Sequence, residues 1–354
     1  MSMDHDLTTP IGLTGYLSST PYACVSVDTL SGGYLGFMYR VVLKTPLSSH
    51  GKEERTVIVK HSAGHGSMAG PDGLNLTSER MDFEYNALKL ISANPALSTV
   101  VGVPHVHAYD PRTHILIMSD LAPFQLLSDA LQGGDDELAS RIGYALGEFM
   151  GRFHKWTSLP EHVGTRKRFL ENEASREDLL DYRWKLAIAG ARKYGFECDW
   201  MAEMRDEGMR DAKLGGPVVC MGDFWFNNIL VSASHNLQVY IIDWEAARTA
   251  RPEFDVAQFA TDAYSLARVH KPMPLMHEFF KAYKKYMHLD EGNMALYSGR
   301  DLLGFGIDAP WLDHIDDDAK KPTAQVGIEL LEAVRGDNKQ ALLKSPALFN
   351  MYQV

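Results

Sequence analysis

Alternating apolar and polar positions mark the first third of the chain. Five short runs rich in β-branched and aromatic residues follow a period of two, which is typical of half-buried strands. They lie at residues 23–30, 37–44, 55–60, 106–109 and 114–118. A helical stretch containing Glu84 falls between the third run and the fourth. We therefore expect an antiparallel sheet of about five strands, accompanied by one helix.

From about residue 124 the hydrophobic period changes to one near 3.6. Residues 119–123 break the strand pattern, so we predict an N-terminal lobe at residues 1–121 and a C-terminal lobe at 122–354. Apolar residues at helical spacing predict a long helix over residues 141–156. Further helices are expected at residues 176–194, 256–268, 276–286 and 323–334. The pattern thus predicts an α+β protein with two lobes, of which the second is mainly helical.

A short β-hairpin is predicted within the second lobe. Residues 229–231 and 237–242 have the composition of two strands joined by a turn. Asn228 precedes the first strand and Asp243 follows the second, so both side chains lie at the same open end and can reach one cation. Asp223, five residues before Asn228, could orient a substrate hydroxyl beside a metal-bound γ-phosphate. This spacing points to phosphoryl transfer.

An ordinary structural explanation competes with this one. Asp and Asn at strand ends often stabilise turns, and the spacing of Asp223 and Asn228 also occurs by chance. The end of the second strand, Asp243-Trp244-Glu245, favours the metal site. Two acids at the mouth of an apolar hairpin are costly unless a cation compensates them.

Two upstream segments could bind phosphates. The turn that contains Ser31, Gly32 and Gly33 lies between two predicted strands and could fold its backbone N–H groups over phosphates, although such glycines also serve simply as hairpin turns. Lys60 ends the third predicted strand, at the position expected of a lysine that holds the α- and β-phosphates.

The helix after Lys60 offers that lysine a partner. Glu84 lies three residues after Met81 and four before Leu88, on one apolar face. A carboxylate on an apolar stripe needs a buried cation, so we predict an ion pair between Lys60 and Glu84. Glu79 is the rival partner, although it falls off this stripe.

These segments together resemble the aminoglycoside phosphotransferase and choline kinase family, small-molecule relatives of the protein kinases. The resemblance rests on Gly222-Asp223 with Asn228, and on Ile242-Asp243-Trp244-Glu245. Met221 stands where the family has a histidine that braces the loop. The resemblance covers roughly residues 25–290 and is closest to fungal small-molecule kinases of the 4-hydroxytryptamine kinase type, with an Asp-x-Glu motif like that of methylthioribose kinases.

The resemblance implies a bilobal protein-kinase-like fold that uses ATP and Mg²⁺. It makes Asp223 the catalytic base, Asn228 and Asp243 the metal ligands, and Glu245 a further or water-mediated ligand. It also places the hinge between the lobes at Met118, Ser119, Asp120 and Leu121, whose backbone groups would pair with adenine.

Composition supports an enzyme rather than a binding module for nucleic acid. The chain has 354 residues, 45% of them hydrophobic, enough for a substantial core. Its net charge of −11 argues against a nucleic-acid partner. No apolar run approaches the length of a membrane span and no signal peptide is evident, so a cytoplasmic location is expected. The three cysteines are unclustered and indicate neither a disulfide framework nor a zinc site. The oligomeric state is left open.

The phosphate acceptor is harder to infer. The net negative charge of the chain would suit a cationic acceptor. An ammonium group could be held by Trp311, Asp313, Asp316 or Asp262. The acidic run at residues 313–318 could equally be a solvated helix start.

Two functions from different classes remain at this point. One is an ATP-dependent kinase that phosphorylates a hydroxyl of a small molecule, with a preference for an amine-bearing metabolite. The other is a nucleotide-binding pseudokinase that acts as a scaffold or sensor. The presence of every residue needed for the chemistry favours the kinase.

Overall fold

The computed structural model describes residues 5–30, 36–49, 52–63, 77–232 and 236–353. The chain divides into two compact units. Unit 1 comprises Met1–Asn94 and Val103–Pro123, and unit 2 comprises Pro95–Gly102 and Phe124–Val354. The short segment at residues 95–102 therefore belongs with the second unit, although it precedes the last two strands of the first.

The elements are numbered in chain order. The strands are β1 (Cys24–Thr29), β2 (Phe37–Ser49), β3 (Lys52–His61), β4 (Val101–Gly102), β5 (Val106–Asp110), β6 (Ile115–Ser119), β7 (Gln125–Leu126), β8 (Val218–Cys220), β9 (Ile229–Val231), β10 (Val239–Ile241) and β11 (Arg248–Ala250). The α-helices are α1 (Pro10–Leu17), α2 (Arg80–Ser92), α3 (Leu127–Gln132), α4 (Asp136–Ser158), α5 (Val163–Leu170), α6 (Leu180–Lys193), α7 (Met201–Leu214), α8 (Glu253–Leu266), α9 (Leu275–Tyr283), α10 (Glu291–Asp301), α11 (Asp317–Arg335), α12 (Lys339–Lys344) and α13 (Phe349–Tyr352).

Unit 1 is built on an antiparallel sheet of five strands in the order β1-β2-β3-β6-β5, which confirms the predicted sheet. Leu13 and Leu17 of α1 pack with Tyr39, Val41 and Val57 of the sheet in one apolar cluster. Because side chains alternate along a strand, Lys60 projects from the opposite face of β3 to Val57. Helix α2 packs against β5 and β6.

Helix α1 was not predicted from the sequence, although its start carries recognisable signals. The hydroxyl of Thr9 accepts the Gly12 N–H as an N-cap, and Pro10 occupies the first helical position. With eight residues, the helix is too short for its apolar period to stand out.

Unit 2 is mainly helical, as predicted. One apolar cluster of this unit packs Trp184 of α6 with Ile328 and Leu331 of α11 and with Leu303, which lies in a π-helical turn after α10. The predicted helix at 176–194 is two elements, a π-helical segment (Ala174–Leu179) followed by α6. None of the helices among the described residues has the length and apolar character that crossing a bilayer requires.

Helix α11 begins six residues before the predicted start because Pro322 does not end it. A proline is costly in a helix interior, since it removes a hydrogen bond to the preceding turn. Pro322 lies near the start of α11, so the hydrogen bond that it removes is one to the first helical turn. Asp316 stands at the N-cap position, and Asp317 and Asp318 occupy the first turn, where acidic groups favour the positive end of the helix.

The predicted hairpin is formed by β9 and β10, which pair antiparallel with Ile241 opposite Ile229. Two further short strands extend it into the sheet β4-β10-β9-β7. Strands β8 and β11 form a second antiparallel pair, in which Cys220 lies opposite Arg248. After β8 the chain forms the hairpin of β9 and β10, and it then returns as β11 to pair with β8.

Helices α4 and α9 approach each other closely because glycines on α4 face α9. A Cβ atom built on Gly147 would lie 2.2 Å from the carbonyl oxygen of Phe279, and one on Gly143 would lie 2.1 Å from that of Leu275. Both contacts are with backbone atoms, so side-chain movement cannot relieve them. The two glycines thus set the distance between the helices.

We expect Gly147→Ala to destabilise the protein by about 1–3 kcal/mol, because the helices must separate to admit the methyl group. The matched control is Gly164→Ala in α5, where a Cβ would meet nothing within 4 Å. That variant should be neutral, or up to about 1 kcal/mol more stable, through helix propensity. Urea-unfolding midpoints measure both. Equal midpoints for the two variants would contradict the close packing of α4 on α9.

Candidate active site

The loop that carries Asp223 is anchored by a buried aspartate on α8. Asp255 accepts the backbone N–H of Met221 at 2.7 Å through Oδ2 and that of Gly222 at 2.9 Å through Oδ1. Its Oδ2 also lies 3.2 Å from Nε2 of His154, whose Nδ1 is 2.7 Å from the hydroxyl of Tyr283. These groups are fully buried. His154 therefore supports the loop through Asp255.

This anchoring explains how Met221 can replace the family histidine. Asp255 holds the loop through backbone N–H groups, and any residue other than proline supplies such a group at position 221. The Met221 side chain is fully buried and contributes to packing. The replacement therefore leaves the backbone of the loop fixed.

Gly222 is required by the path of this loop. It adopts φ 84°, a region that favours glycine, and a Cβ atom there would lie 2.1 Å from the carbonyl oxygen of Ala246. The loop thus passes directly over the segment that follows Asp243. Any side chain at residue 222 would push these two parts of the site apart.

Asp223 is held by donors on both carboxylate oxygens. Oδ1 accepts from Nη2 of Arg183 at 2.9 Å and from Nε2 of Gln258 at 2.8 Å. Oδ2 accepts from Nδ2 of Asn228 at 3.0 Å. About a third of the Asp223 side chain remains exposed, at 35%. The carboxylate is therefore fixed in direction yet accessible.

The pKa of Asp223 reflects opposing influences. Burial raises its pKa above the usual range, and the charge of Glu245 adds to the rise. The positive charge of Arg183 and the hydrogen bonds from Gln258 and Asn228 act in the other direction. The net effect is a more basic carboxylate than an exposed aspartate, which suits a group that must take a proton.

Helix α8 presents a polar stripe to this loop. Asp255, Gln258 and Asp262 are spaced at i, i+3 and i+7, so they lie on one helical face. Asp255 holds the start of the loop, Gln258 holds Asp223, and Asp262 accepts the Phe226 N–H at 2.9 Å. One rigid helix thus holds the loop at three points.

Asn228 and Asp243 lie at the same end of the hairpin, as the sequence predicted. The carbonyl oxygen of Asn228 accepts the N–H of Ile242, the residue before Asp243, at 2.9 Å. Asp243 adopts a left-handed conformation with φ 65° and ψ 60°, an uncommon one for a non-glycine residue that is found mostly at functional or turn positions.

The donor set at this end of the hairpin fits a magnesium ion. Asp243 and Glu245 each offer a carboxylate oxygen, and these oxygens lie within 4.8 Å of each other. The Nδ2 group of Asn228 is directed at Asp223, which leaves its Oδ1 as the atom to face a cation. Oxygen donors of this kind are those that Mg²⁺ prefers.

Unit 1 contains the predicted ion pair. Nζ of Lys60 lies 2.7 Å from Oε2 of Glu84, and both side chains are buried. The rival Glu79 is exposed at the N-cap position of α2. Gly36 lies close to this pair, because a Cβ there would meet Cε of Lys60 at 4.0 Å. The lysine is therefore held at a fixed position on β3.

The predicted adenine-binding segment follows β6. The side chain of Asp120 is engaged by Arg40, which donates through Nε at 2.7 Å and Nη2 at 3.1 Å. The hydroxyl of Ser119 donates to Glu54. The backbone N–H of Ser119 donates to the carbonyl oxygen of His105 at 2.9 Å, so this N–H is not available to a base. For Met118 and Leu121, the predicted contact with adenine is made by backbone groups.

The remaining predicted site residues fall into three groups. Ser31, Gly32 and Gly33 lie outside the described residues. Asp262 and Trp311 are buried in unit 2, and the Trp311 indole donates to the hydroxyl of Ser265 at 3.1 Å. Asp313 is exposed before the start of α11, and Asp316 is exposed at its N-cap position. Their role in acceptor binding stays a prediction.

Sequence reasoning missed three residues that shape the site, namely Arg183, Gln258 and Asp255. The i, i+3, i+7 spacing of the α8 stripe was available as a signal, since polar groups at this spacing share a helical face. Arg183 gave no such signal, because it lies in α6 and reaches Asp223 only through tertiary packing.

Known proteins similar to this chain are phosphotransferases. Residues 48–297, more than two thirds of the chain, match the profile described as the phosphotransferase enzyme family. A 4-hydroxytryptamine kinase of Psilocybe cyanescens is 26% identical, with the alignment covering 97% of this chain and 98% of the relative. The phosphotransferase FrzJ of Cladobotryum is 25% identical, covering 81% and 82%.

Solved structures agree on the fold. An APH(2")-IIa crystal structure with gentamicin has a TM-score of 0.51 at 13% identity, covering 97% of this chain and 95% of the other. The GDP complex of aminoglycoside 2'-phosphotransferase-IIIa also has a TM-score of 0.51, at 15% identity, covering 93% and 99%. The match to the family profile, on a chain with this fold and these side chains, establishes that the protein belongs to the phosphotransferase enzyme family.

Proposed function

We propose that this protein transfers the γ-phosphate of ATP to a hydroxyl of a small, amine-bearing molecule. The observation that carries the proposal is the setting of Asp223, fixed by Arg183, Gln258 and Asn228 yet still accessible. A carboxylate so held is suited to align a hydroxyl and take its proton. A pseudokinase would have no need to keep such an arrangement.

In the proposed reaction, Asp223 orients the acceptor hydroxyl through Oδ2. The hydroxyl oxygen forms a bond to the γ-phosphorus while the bond from that phosphorus to the bridging oxygen of ADP breaks. The hydroxyl proton passes to Asp223. Because phosphoryl transfer is largely a matter of positioning and charge stabilisation, the rigid hold on Asp223 matters more than its basicity.

Lys60 would bind the phosphates that remain on ADP. Its ion pair with Glu84 fixes the ammonium group in direction, so the lysine can serve as a preformed phosphate ligand. The backbone of residues 118–121 would pair with the base of the nucleotide.

Mg²⁺ would be held by Asn228 and Asp243, with Glu245 as a further ligand. When bound, the ion would neutralise charge on the transferring phosphate. The position of Asp243 supports this role, since it follows Ile242, whose N–H donates to the carbonyl of Asn228, and its carboxylate lies within 4.8 Å of that of Glu245.

Asp262 supports an amine-bearing acceptor. Burial raises its pKa well above the usual range, and the nearby charges of Asp223 and Asp301 add to the rise. A carboxylate in this position is stabilised by a cation. The name of the 4-hydroxytryptamine kinase relative, which describes an indole amine, points the same way. The positive charge of Arg183 acts to lower this pKa, and an ammonium group beside Asp262 would act in the same direction.

We expect Asp223→Asn to lower turnover by about 10²–10⁴-fold while the Kd for nucleotide changes less than about twofold. The amide keeps the shape of the side chain but cannot accept the proton. Turnover is measured by ADP release, and nucleotide binding by calorimetry. The control is Asp206→Asn, which alters an exposed carboxylate on α7. Turnover of Asp223→Asn close to that of the control would refute the assignment.

The metal site predicts a separate result for Asp243→Asn. This variant should lose about tenfold or more in affinity for ATP with Mg²⁺ and keep its affinity for ATP in EDTA, because only the metal-dependent part of binding is removed. The control is Asp211→Asn, another exposed carboxylate of α7. An equal loss of ATP affinity with and without the metal would mean that Asp243 does not bind Mg²⁺.

The amine preference is tested by Asp262→Asn. The amide can still accept the Phe226 N–H, so the loop should stay in place. We expect the KM for hydroxylated amines to rise about tenfold or more, while the KM for ATP and that for uncharged analogues of the same amines stay constant. Measurement against 4-hydroxytryptamine and an analogue without the amine decides the matter. An equal change for both acceptors would remove Asp262 from the acceptor site.

A further inference from the structure

Arg183 of α6 contacts the loop that carries Asp223 through its guanidinium group. It is buried, and its two-hydrogen Nη2 lies within hydrogen-bond distance of three acceptors, namely Asp223 Oδ1 at 2.9 Å, the Gly222 carbonyl at 2.9 Å and Gln258 Oε1 at 3.0 Å. One nitrogen of α6 thus reaches the proposed base, the backbone before it and the other donor to the same oxygen.

The Arg183 guanidinium is itself held on several sides. Its carbon Cζ lies 5.2 Å from the ring centre of Phe254 and 5.1 Å from that of Phe305. Its Nη1 is 3.6 Å from Oδ2 of Asp301, whose carboxylate accepts two hydrogen bonds from Arg300, at 2.7 and 2.9 Å. A group confined in this way cannot follow Asp223 if the carboxylate turns. The guanidinium therefore keeps a fixed position beside Asp223.

The division of donors between the two oxygens of Asp223 has a chemical consequence. Oδ1 receives both Arg183 and Gln258, which fills its acceptor capacity. Oδ2 receives the Asn228 amide and keeps room for one further hydrogen bond. A partial rotation of the carboxylate that moved Oδ1 away from these donors would break the hydrogen bonds from both Arg183 and Gln258.

We infer that Arg183 is a positioning residue for phosphoryl transfer, which directs Oδ2 of Asp223 at the acceptor hydroxyl by holding Oδ1. This inference rests on the proposed function. Arg183 touches neither the hydroxyl nor the phosphate. It acts through Asp223, so its effect should appear in turnover rather than in the binding of either substrate.

Unit 2 contains a matched control for this inference. Arg248 is also buried and also lies over the ring of Phe254, at 5.0 Å, but its Nη1 donates to the carbonyl of Ser175. Arg183→Met and Arg248→Met therefore remove the same kind of stacked, buried guanidinium from the same aromatic ring. They differ in whether the lost group touched Asp223.

The experiment compares these variants with Asp223→Asn and with the double variant of Asp223→Asn and Arg183→Met. We expect Arg183→Met to lower kcat by roughly 10²-fold, with KM for ATP and KM for the acceptor within about twofold of wild type. Arg183→Lys should recover part of this loss, since a lysine restores the charge but not the fork geometry. Arg248→Met should show a similar fall in urea midpoint to Arg183→Met and a kcat near that of wild type.

The double variant gives the sharpest result. If Arg183 acts through Asp223, adding Arg183→Met to Asp223→Asn should cost no further rate beyond about twofold, because the interaction is already lost. Single-turnover assays with radiolabelled ATP measure these low rates. Losses that multiply, or a kcat for Arg183→Met equal to that of Arg248→Met, would overturn the inference.

A failure of the proposed function would look different. In that case the wild-type protein itself would phosphorylate no hydroxylated acceptor. The same set of variants would then be compared through slow hydrolysis of ATP, with water in place of the acceptor hydroxyl. Equal hydrolysis by wild type and Arg183→Met would overturn the role of Arg183 in that setting as well.

Discussion

The site depends on one buried carboxylate, Asp255, and the two backbone N–H groups that it accepts. Hydrogen bonds from backbone N–H to an ionised acceptor are among the stronger ones in proteins, and here they are shielded from water. They fix the chain immediately before Asp223. With that segment fixed, Gly222 can pass over Ala246, and Asp223 meets the donors that set its direction.

The charged side chains around Asp223 form a series of alternating sign. Asp223 faces Arg183, Arg183 faces Asp301, and Asp301 is paired with Arg300. Each buried charge therefore has a partner of opposite sign, which offsets the large cost of removing ions from water. Asp262 stands beside this series with a raised pKa, and under the proposed function it would meet the ammonium group of the acceptor.

Much of the fold could be predicted from local patterns. The five strands of unit 1 alternate clearly, and the pair of Lys60 and Glu84 followed from one carboxylate on an apolar helical face. The hairpin followed from two short strands with polar residues at their ends. In these cases the signal lies within a few residues of the feature, so no tertiary information was needed.

What the sequence could not provide depends on contacts between distant segments. Arg183 is 40 residues from Asp223 in the chain, and nothing near it indicates that it reaches the loop. Helix α11 starts at Asp317, within the acidic run that offered a possible helix start, but its continuation through Pro322 was not predicted. The acceptor remains a proposal for the same reason, because acceptor specificity is decided by side chains from several helices.

The most direct test of the account is a crystal structure with Mg²⁺, a non-hydrolysable ATP analogue and a hydroxylated amine. We expect the acceptor hydroxyl within about 3.2 Å of Asp223 Oδ2, with Oδ1 still bound by Arg183 and Gln258, and Asn228 Oδ1 and Asp243 on the metal. An acceptor hydroxyl bound away from Asp223, or a metal bound without Asp243, would contradict it.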